Sequence, residues 1–265
     1  MTVTSKLSLQ YMSDLQLERI HYEHTVTPAG PVLILAGDIG RFCDYDKYRD
    51  FLTNVCNAYE LVLLIAGNHE FYGSSREEGL EAAARPVCEL PMHGKLQFLN
   101  RGRADIPGSD VTVLGCTLHS HISPDYTALT NDFERIKNWS VKAHNEEHAK
   151  DLQWLKASLK DIVKNEPQRK VVVVTHYAPL FQSVAHPMNE NNALAQCFSS
   201  SALEDVRREV NMPSASYWIF GHTHRNAQLK CPIELVAEED TVPPVQSQGN
   251  SRSILTELKR VCVEN

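Results

Sequence analysis

The strongest constraint on this chain is a repeated arrangement, in which a short apolar run stops at a residue group carrying Asp, Asn or His. Leu7–Met12 ends in Ser13-Asp14-Leu15-Gln16, Pro31–Ala36 in Gly37-Asp38, and Leu61–Ala66 in Gly67-Asn68-His69-Glu70. Lys170–Val174 runs into Thr175-His176, and Tyr217–Phe220 into Gly221-His222-Thr223-His224. Short continuous apolar runs suit strands buried on both faces. One Asp after a strand is ordinarily a turn or cap residue. In open α/β sheets, however, the ligand crevice lies beyond the carboxyl ends of the strands, so donors far apart in sequence would converge there. Imidazoles at i and i+2 on an extended segment point the same way, and neutral imidazole is the commonest protein metal ligand. His222 and His224 can therefore supply two donors to one metal cluster.

Helical patterns separate the runs. Asp44–Tyr59 carries Tyr48, Phe51, Leu52 and Val55 at i, i+3, i+4 and i+7. Ser75–Glu89 opens with a Ser cap and Glu77-Glu78 in its first turn. Asn145–Lys164 shows one stripe of Leu152, Leu155, Leu159, Ile162 and Val163, and Ser201–Val210 is a further helix. Leu96–Leu99 and Val111–Leu114 read as strands joined by a turn around Pro107-Gly108, and short strands are expected near Ala227–Leu229 and Ile233–Val236. Two long polar connections, Thr117–His144 and Ala178–Phe198, are too long to be idle in a compact domain. Ile254–Val263 gives no clear pattern. Strands alternating with helices predict an α/β fold, and nothing in the 265 residues divides them, so residues 1–265 read as one domain.

The net charge of −7 makes nucleic acid or an anionic membrane an unexpected partner. Seven cysteines without a Cys-x-x-Cys pair argue for reduced thiols in a cytoplasmic protein. No run approaches the length of a membrane span.

The ordered series Asp14-x-Gln16, Gly37-Asp38, Gly67-Asn68-His69-Glu70, Thr175-His176 and Gly221-His222-x-His224 resembles the calcineurin-like metallophosphoesterase superfamily, over the chain from Leu7 to about Leu229. The resemblance implies an α/β fold, a four-layer αββα sandwich of two mixed β-sheets flanked by helices. It also implies a hydrolase cleaving phosphomonoesters or phosphodiesters with a hydroxide shared by two divalent metals. Carried over residue by residue, Asp38 bridges both metals. Asp14 and His224 join it on the first, and Asn68, His176 and His222 on the second. His69 contacts the phosphate and assists the leaving group as a catalytic residue.

The family usually has His where this chain has Gln16. An amide oxygen can still ligate, and the harder donor tilts the pair from Zn²⁺ or iron towards Mn²⁺ or Mg²⁺, with Mn²⁺ favoured. A branch of the superfamily that acts on nucleoside-diphosphate-linked substrates with Mn²⁺ also has Gln here. Without Gln16 ligation, the alternatives are a mononuclear or catalytically weak binding or regulatory protein on the same fold. A metal-dependent enzyme turned to non-phosphate chemistry is a third reading. His119 and His121 repeat the i, i+2 spacing and, with Asn131 and Asp132 of the first long connection, are candidates to line a pocket for a small phosphorylated substrate. Tyr72 and Tyr177 read as packing aromatics.

Overall fold

The structure, a computed structural model, describes residues 7–189, 192–212, 216–225, 227–230, 234–237 and 259–263. Ile233, named above, and residues 254–258 lie outside them. Its strands are β1 (Leu7–Met12), β2 (Val32–Ala36), β3 (Leu61–Ile65), β4 (Leu96–Phe98), β5 (Gly102–Asp105), β6 (Val111–Cys116), β7 (Lys170–Thr175), β8 (Ser216–Phe220), β9 (Ala227–Lys230), β10 (Glu234–Ala237) and β11 (Lys259–Val263). They form a five-stranded sheet, β11-β1-β2-β3-β4, and a six-stranded sheet, β5-β6-β7-β8-β10-β9. Both are mixed, since β11, β5 and β9 pair antiparallel with otherwise parallel neighbours.

Alternation along the strands builds four layers. Val32, Ile34 and Ala36 of β2, with Leu61, Leu63 and Ile65 of β3, face the other sheet and pack with Val111, Val113, Val172, Val174 and Ile219. The intervening Leu33, Leu35, Val62 and Leu64 point outward onto helices α1 (Tyr45–Ala58) and α2 (Arg76–Val87). On the other side Leu114, Val171, Val173 and Trp218 pack under α4 (Val141–Asn165) and α5 (Ala202–Glu209). Strands apolar on both faces are what a sheet covered on both sides requires. The fold is the αββα sandwich.

Three details differ from the sequence reading. Leu96–Leu99 and Val111–Leu114 are not joined as a hairpin: β4 ends the first sheet, and the Pro107-Gly108 turn instead links β6 to β5, antiparallel with Gly102 opposite Gly115. Strand β5 reads poorly because Gly-Arg-Ala-Asp carries no β-branched residue, and only Ala104 of the four is buried. Helix α4 starts before Asn145, at Val141, because the Ser140 hydroxyl accepts from the Ala143 N–H and caps it. The first long connection holds a 3₁₀ turn, Pro124–Leu129, and the short helix α3 (Asp132–Arg135). In α2 the expected cap is a full capping box between Ser75 and Glu78.

Candidate metal centre

Strand register collects the polar residues. Val32 to Ala36 of β2 pair with Leu61 to Ile65 of β3, so Asp38 and Asn68 leave the first sheet side by side. Met12 lies opposite Leu35, and the Asp14 N–H donates to Gly37 O at 3.0 Å. In the second sheet Val174 pairs with Ile219, which brings the turn at His176 beside the one at His222. The Gly221 N–H donates to His176 O at 3.0 Å.

The two sheets then meet at one point. Asp38, His176 and His222, all buried, each place a ligand atom within 4.8 Å of the others. His176 Nδ1 donates to Ala36 O at 3.0 Å, which leaves Nε2 facing Asp38 Oδ1 and Asn68 Oδ1, each 3.2 Å away. His222 Nε2 donates to Cys197 O at 3.1 Å. Burial, reinforced by His176, holds the His222 imidazole neutral, with its pKa well below the ordinary value. Its Nδ1 lone pair therefore points into the cluster, where that atom has no hydrogen-bond partner, and neither does the buried Asp38 Oδ2. Burial opposes the Asp38 charge, yet His176 and His69 hold its carboxyl well below the usual range. The same Asp38 overrides burial to push His176 up to about 10. An anionic carboxylate, an amide oxygen and two ring nitrogens, that of His176 once its proton is displaced, are a donor set suited to a divalent cation, and two of its buried acceptors, Asp38 Oδ2 and His222 Nδ1, have no hydrogen-bond partner.

Beside this buried set lies a more open one. His224 Nε2 is 3.5 Å from Asp14 Oδ1 and 3.5 Å from the Gln16 side-chain amide nitrogen. The His224 side chain is 42 % exposed, whereas Asp14 is fully buried and its carboxylate accepts from the His222 N–H at 3.0 Å. Gln16 thus faces the same space as Asp14 and His224. Asp14, Gln16, Asp38, His222 and His224 all have φ between +47° and +66°, the left-handed region that L-residues seldom occupy and that clusters at functional sites.

Close approach explains two of the glycines. A Cβ on Gly67 would collide with the Asp38 carboxylate, and one on Gly221 would collide with the Ser13 hydroxyl and crowd Asp14.

His69 stands outside the cluster but aims into it. Its Nδ1 donates to Glu18 Oε1 at 2.7 Å, its Nε2 lies 3.7 Å from Asp38 Oδ2, and its backbone N–H donates to Asp38 Oδ1 at 2.9 Å. Burial works against its charged form, but Asp38 and Glu18 prevail and its pKa is raised.

Of the pocket candidates, His121 and Asn131 are exposed and His119 and Asp132 are buried. His119 stacks on Tyr177 with ring centroids 5.6 Å apart. Asp132 accepts from Asn68 Nδ2 at 2.9 Å and from Tyr72 OH at 2.8 Å through one oxygen, and from Tyr177 OH at 3.0 Å through the other. Tyr72 and Tyr177 are thus hydrogen-bonded as well as packed.

Sequence reasoning missed the anchor of the loop. The buried Glu70 carboxylate accepts from the N–H groups of Asp38 (2.8 Å), Ile39 (2.8 Å) and Gly67 (2.7 Å) and from Tyr48 OH (3.2 Å). An acid closing the Gly-Asn-His-Glu run is the only signal the sequence offers for it. Glu18, two positions beyond Gln16, went unmarked for the same reason.

The geometry describes a candidate metal-ligating cluster at the strand ends of an αββα sandwich, and comparison with known proteins identifies the family. The family model for calcineurin-like phosphoesterase matches residues 15–226, and the chain belongs to that family. It is a phosphoric ester hydrolase of metal-dependent type. Among solved structures, the phosphopantetheinyl hydrolase from Mycobacterium tuberculosis is similar with a TM-score of 0.66. Its sequence is 14 % identical, over 98 % of this chain and 97 % of that one, a likeness in fold alone. No curated protein matches the chain. Among the described residues, no helix is long and apolar enough to cross a membrane.

Proposed function

We propose that the chain is a dinuclear hydrolase of small phosphomonoesters or phosphodiesters, working with Mn²⁺ in the cytoplasm. The observation that carries this reading is the pair of buried, unpartnered acceptors, Asp38 Oδ2 and His222 Nδ1, aimed into one cluster with His176. Asp38, Asn68, His176 and His222 would hold one ion, and Asp14, Gln16, Asp38 and His224 the other. When bound, such a pair supplies an acidified water for attack and positive charge for the phosphoryl oxygens. Gln16 and Asn68 make the donor set rich in oxygen, which supports Mn²⁺ over Zn²⁺.

The chain's own residues supply the remaining steps. Glu18 fixes the orientation of the His69 ring by accepting from Nδ1, so that Nε2 faces the reacting centre. Against burial, Asp38 and Glu18 raise its pKa and so favour the protonated ring, which can give a proton from Nε2 to the departing alkoxide. Glu70 holds the backbone of Asp38 and Gly67 at fixed separation. His224, half exposed, borders the side open to substrate.

Metal analysis combined with turnover tests this. Metal-free protein reloaded with Mn²⁺ is expected to hold close to two ions per chain and to hydrolyse 4-nitrophenyl phosphate or its bis-ester. Asp38→Asn should lose both properties. One ion or fewer, with no turnover, would leave the mononuclear binding protein as the better reading.

A further inference from the structure

The most telling unassigned group is the Asp132 carboxylate, which hydrogen-bonds to Asn68 and belongs to helix α3 of the first long connection rather than to any strand end. It is buried, and its three hydrogen bonds go to Asn68, Tyr72 and Tyr177. Each of these bears on a different residue of the site. Asn68 is itself one: with Nδ2 committed to Asp132 and to Tyr72 OH at 2.9 Å, its amide is turned so that Oδ1 faces His176 Nε2. Tyr177 directly follows His176, and its ring lies against the His222 imidazole with centroids 4.2 Å apart. Tyr72 overlies His69 at 4.4 Å. One carboxylate therefore ties the loop after β3, in the first sheet, to the loop after β7, in the second.

An amide side chain has two ends of nearly the same shape, and only its oxygen can ligate a cation. Something must decide which end faces the ion, because a rotated amide would present N–H groups to a positive charge. Asp132, able only to accept when ionised, holds the nitrogen end and so selects the oxygen for the cluster. We propose that Asp132 is a positioning residue for the buried cation site, setting the orientation of Asn68 and, through Tyr177, the seat of His222. The inference rests on the metal-centre reading above. Partners at this remove from an ion ordinarily change metal affinity by about 10- to 100-fold.

Calorimetric titration of metal-free protein with MnCl₂ tests it, alongside thermal melting of the metal-free forms. Asp132→Leu removes every acceptor and is expected to weaken one of the two Mn²⁺ ions by about tenfold or more. Asp132→Asn is the milder change. Its oxygen can still serve Asn68 while its nitrogen donates to the Tyr177 hydroxyl, so most of the affinity should return. The exchange Asn68→Asp with Asp132→Asn is the decisive form. It keeps the hydrogen bond, but both ends of the ligating group are now oxygen, so Mn²⁺ affinity should exceed that of Asn68→Asp alone, where two carboxylates are forced together. A role in folding only would lower melting temperature without this recovery. Affinity of Asp132→Leu within twofold of wild type, or no recovery in the exchanged pair, overturns the proposal. Failure of the wild-type protein itself to bind Mn²⁺ would instead remove the metal-centre reading and this proposal with it.

Discussion

Replacing Glu70 by Gln should expose how much of the centre is held by backbone rather than by side chains. Each carboxylate oxygen serves a separate group of donors: Oε2 accepts from Asp38 N–H and Gly67 N–H, and Oε1 from Ile39 N–H and Tyr48 OH, with Gly40 N–H at 3.4 Å. Gln keeps one oxygen and turns an NH₂ towards the other group. The least damaging rotamer retains Oε2-like acceptance or Oε1-like acceptance, never both, so about two buried N–H groups lose their acceptor. At about 1–3 kcal/mol for each unsatisfied buried donor, the cost is about 2–6 kcal/mol. That is a large part of the 5–15 kcal/mol that ordinarily separates folded from unfolded. Urea unfolding of metal-free protein measures it as a lower midpoint at unchanged slope. Tyr48→Phe removes one donor and leaves the backbone bonds intact, so about 1 kcal/mol or less is expected. A Glu70→Gln protein as stable as wild type, within about 0.5 kcal/mol, would refute the claim that this carboxylate braces the Asp38 turn.

Three other outcomes are expected. Burial holds His144 neutral, with its pKa pushed down to about 2, so between that value and the ordinary 6.5 the unfolded chain binds one more proton. Stability should therefore fall as pH drops below about 6.5, by up to about 1.4 kcal/mol per unit from this residue, and His144→Gln should flatten the slope by that amount in unfolding curves at pH 5 to 6.5. Gly221→Ala drives a methyl into Ser13 and Asp14, so both melting temperature and Mn²⁺ retention should drop; normal values for both would show that the turn yields freely. His69→Ala should lower kcat by about 10²- to 10⁴-fold on an alkyl phosphate and far less on a nitrophenyl ester, whose leaving group needs no proton. An equal loss on both substrates would count against proton donation.

The sandwich was legible because its strands are apolar on both faces and end in polar turns, as Val32–Ala36 and Leu61–Ile65 do. The convergence of Asp38, Asn68, His176 and His222 followed from the same pattern, since parallel register leaves strand ends level. What stayed hidden depends on partners that no local spacing reveals. Glu70 looks like any acid in a turn until its oxygens are seen among backbone N–H groups, and the contact of Asp132 with Asn68 spans 64 positions of chain. Strand β5 escaped because Arg103 and Asp105 face outward, and its one buried residue is the small Ala104.

The left-handed turns at Asp14, Gln16, Asp38, His222 and His224 carry a consequence for how such a cluster evolves. For an L-residue each conformation costs roughly 1–2 kcal/mol, and glycine alone would adopt it freely. Selection for ease of folding therefore pulls these positions towards glycine, while selection for a cation-gripping side chain pulls the other way. Decay of the activity should accordingly leave a sturdier protein behind: glycine at His224, the most exposed of the five, ought to raise the melting temperature of the metal-free form even as it empties the site.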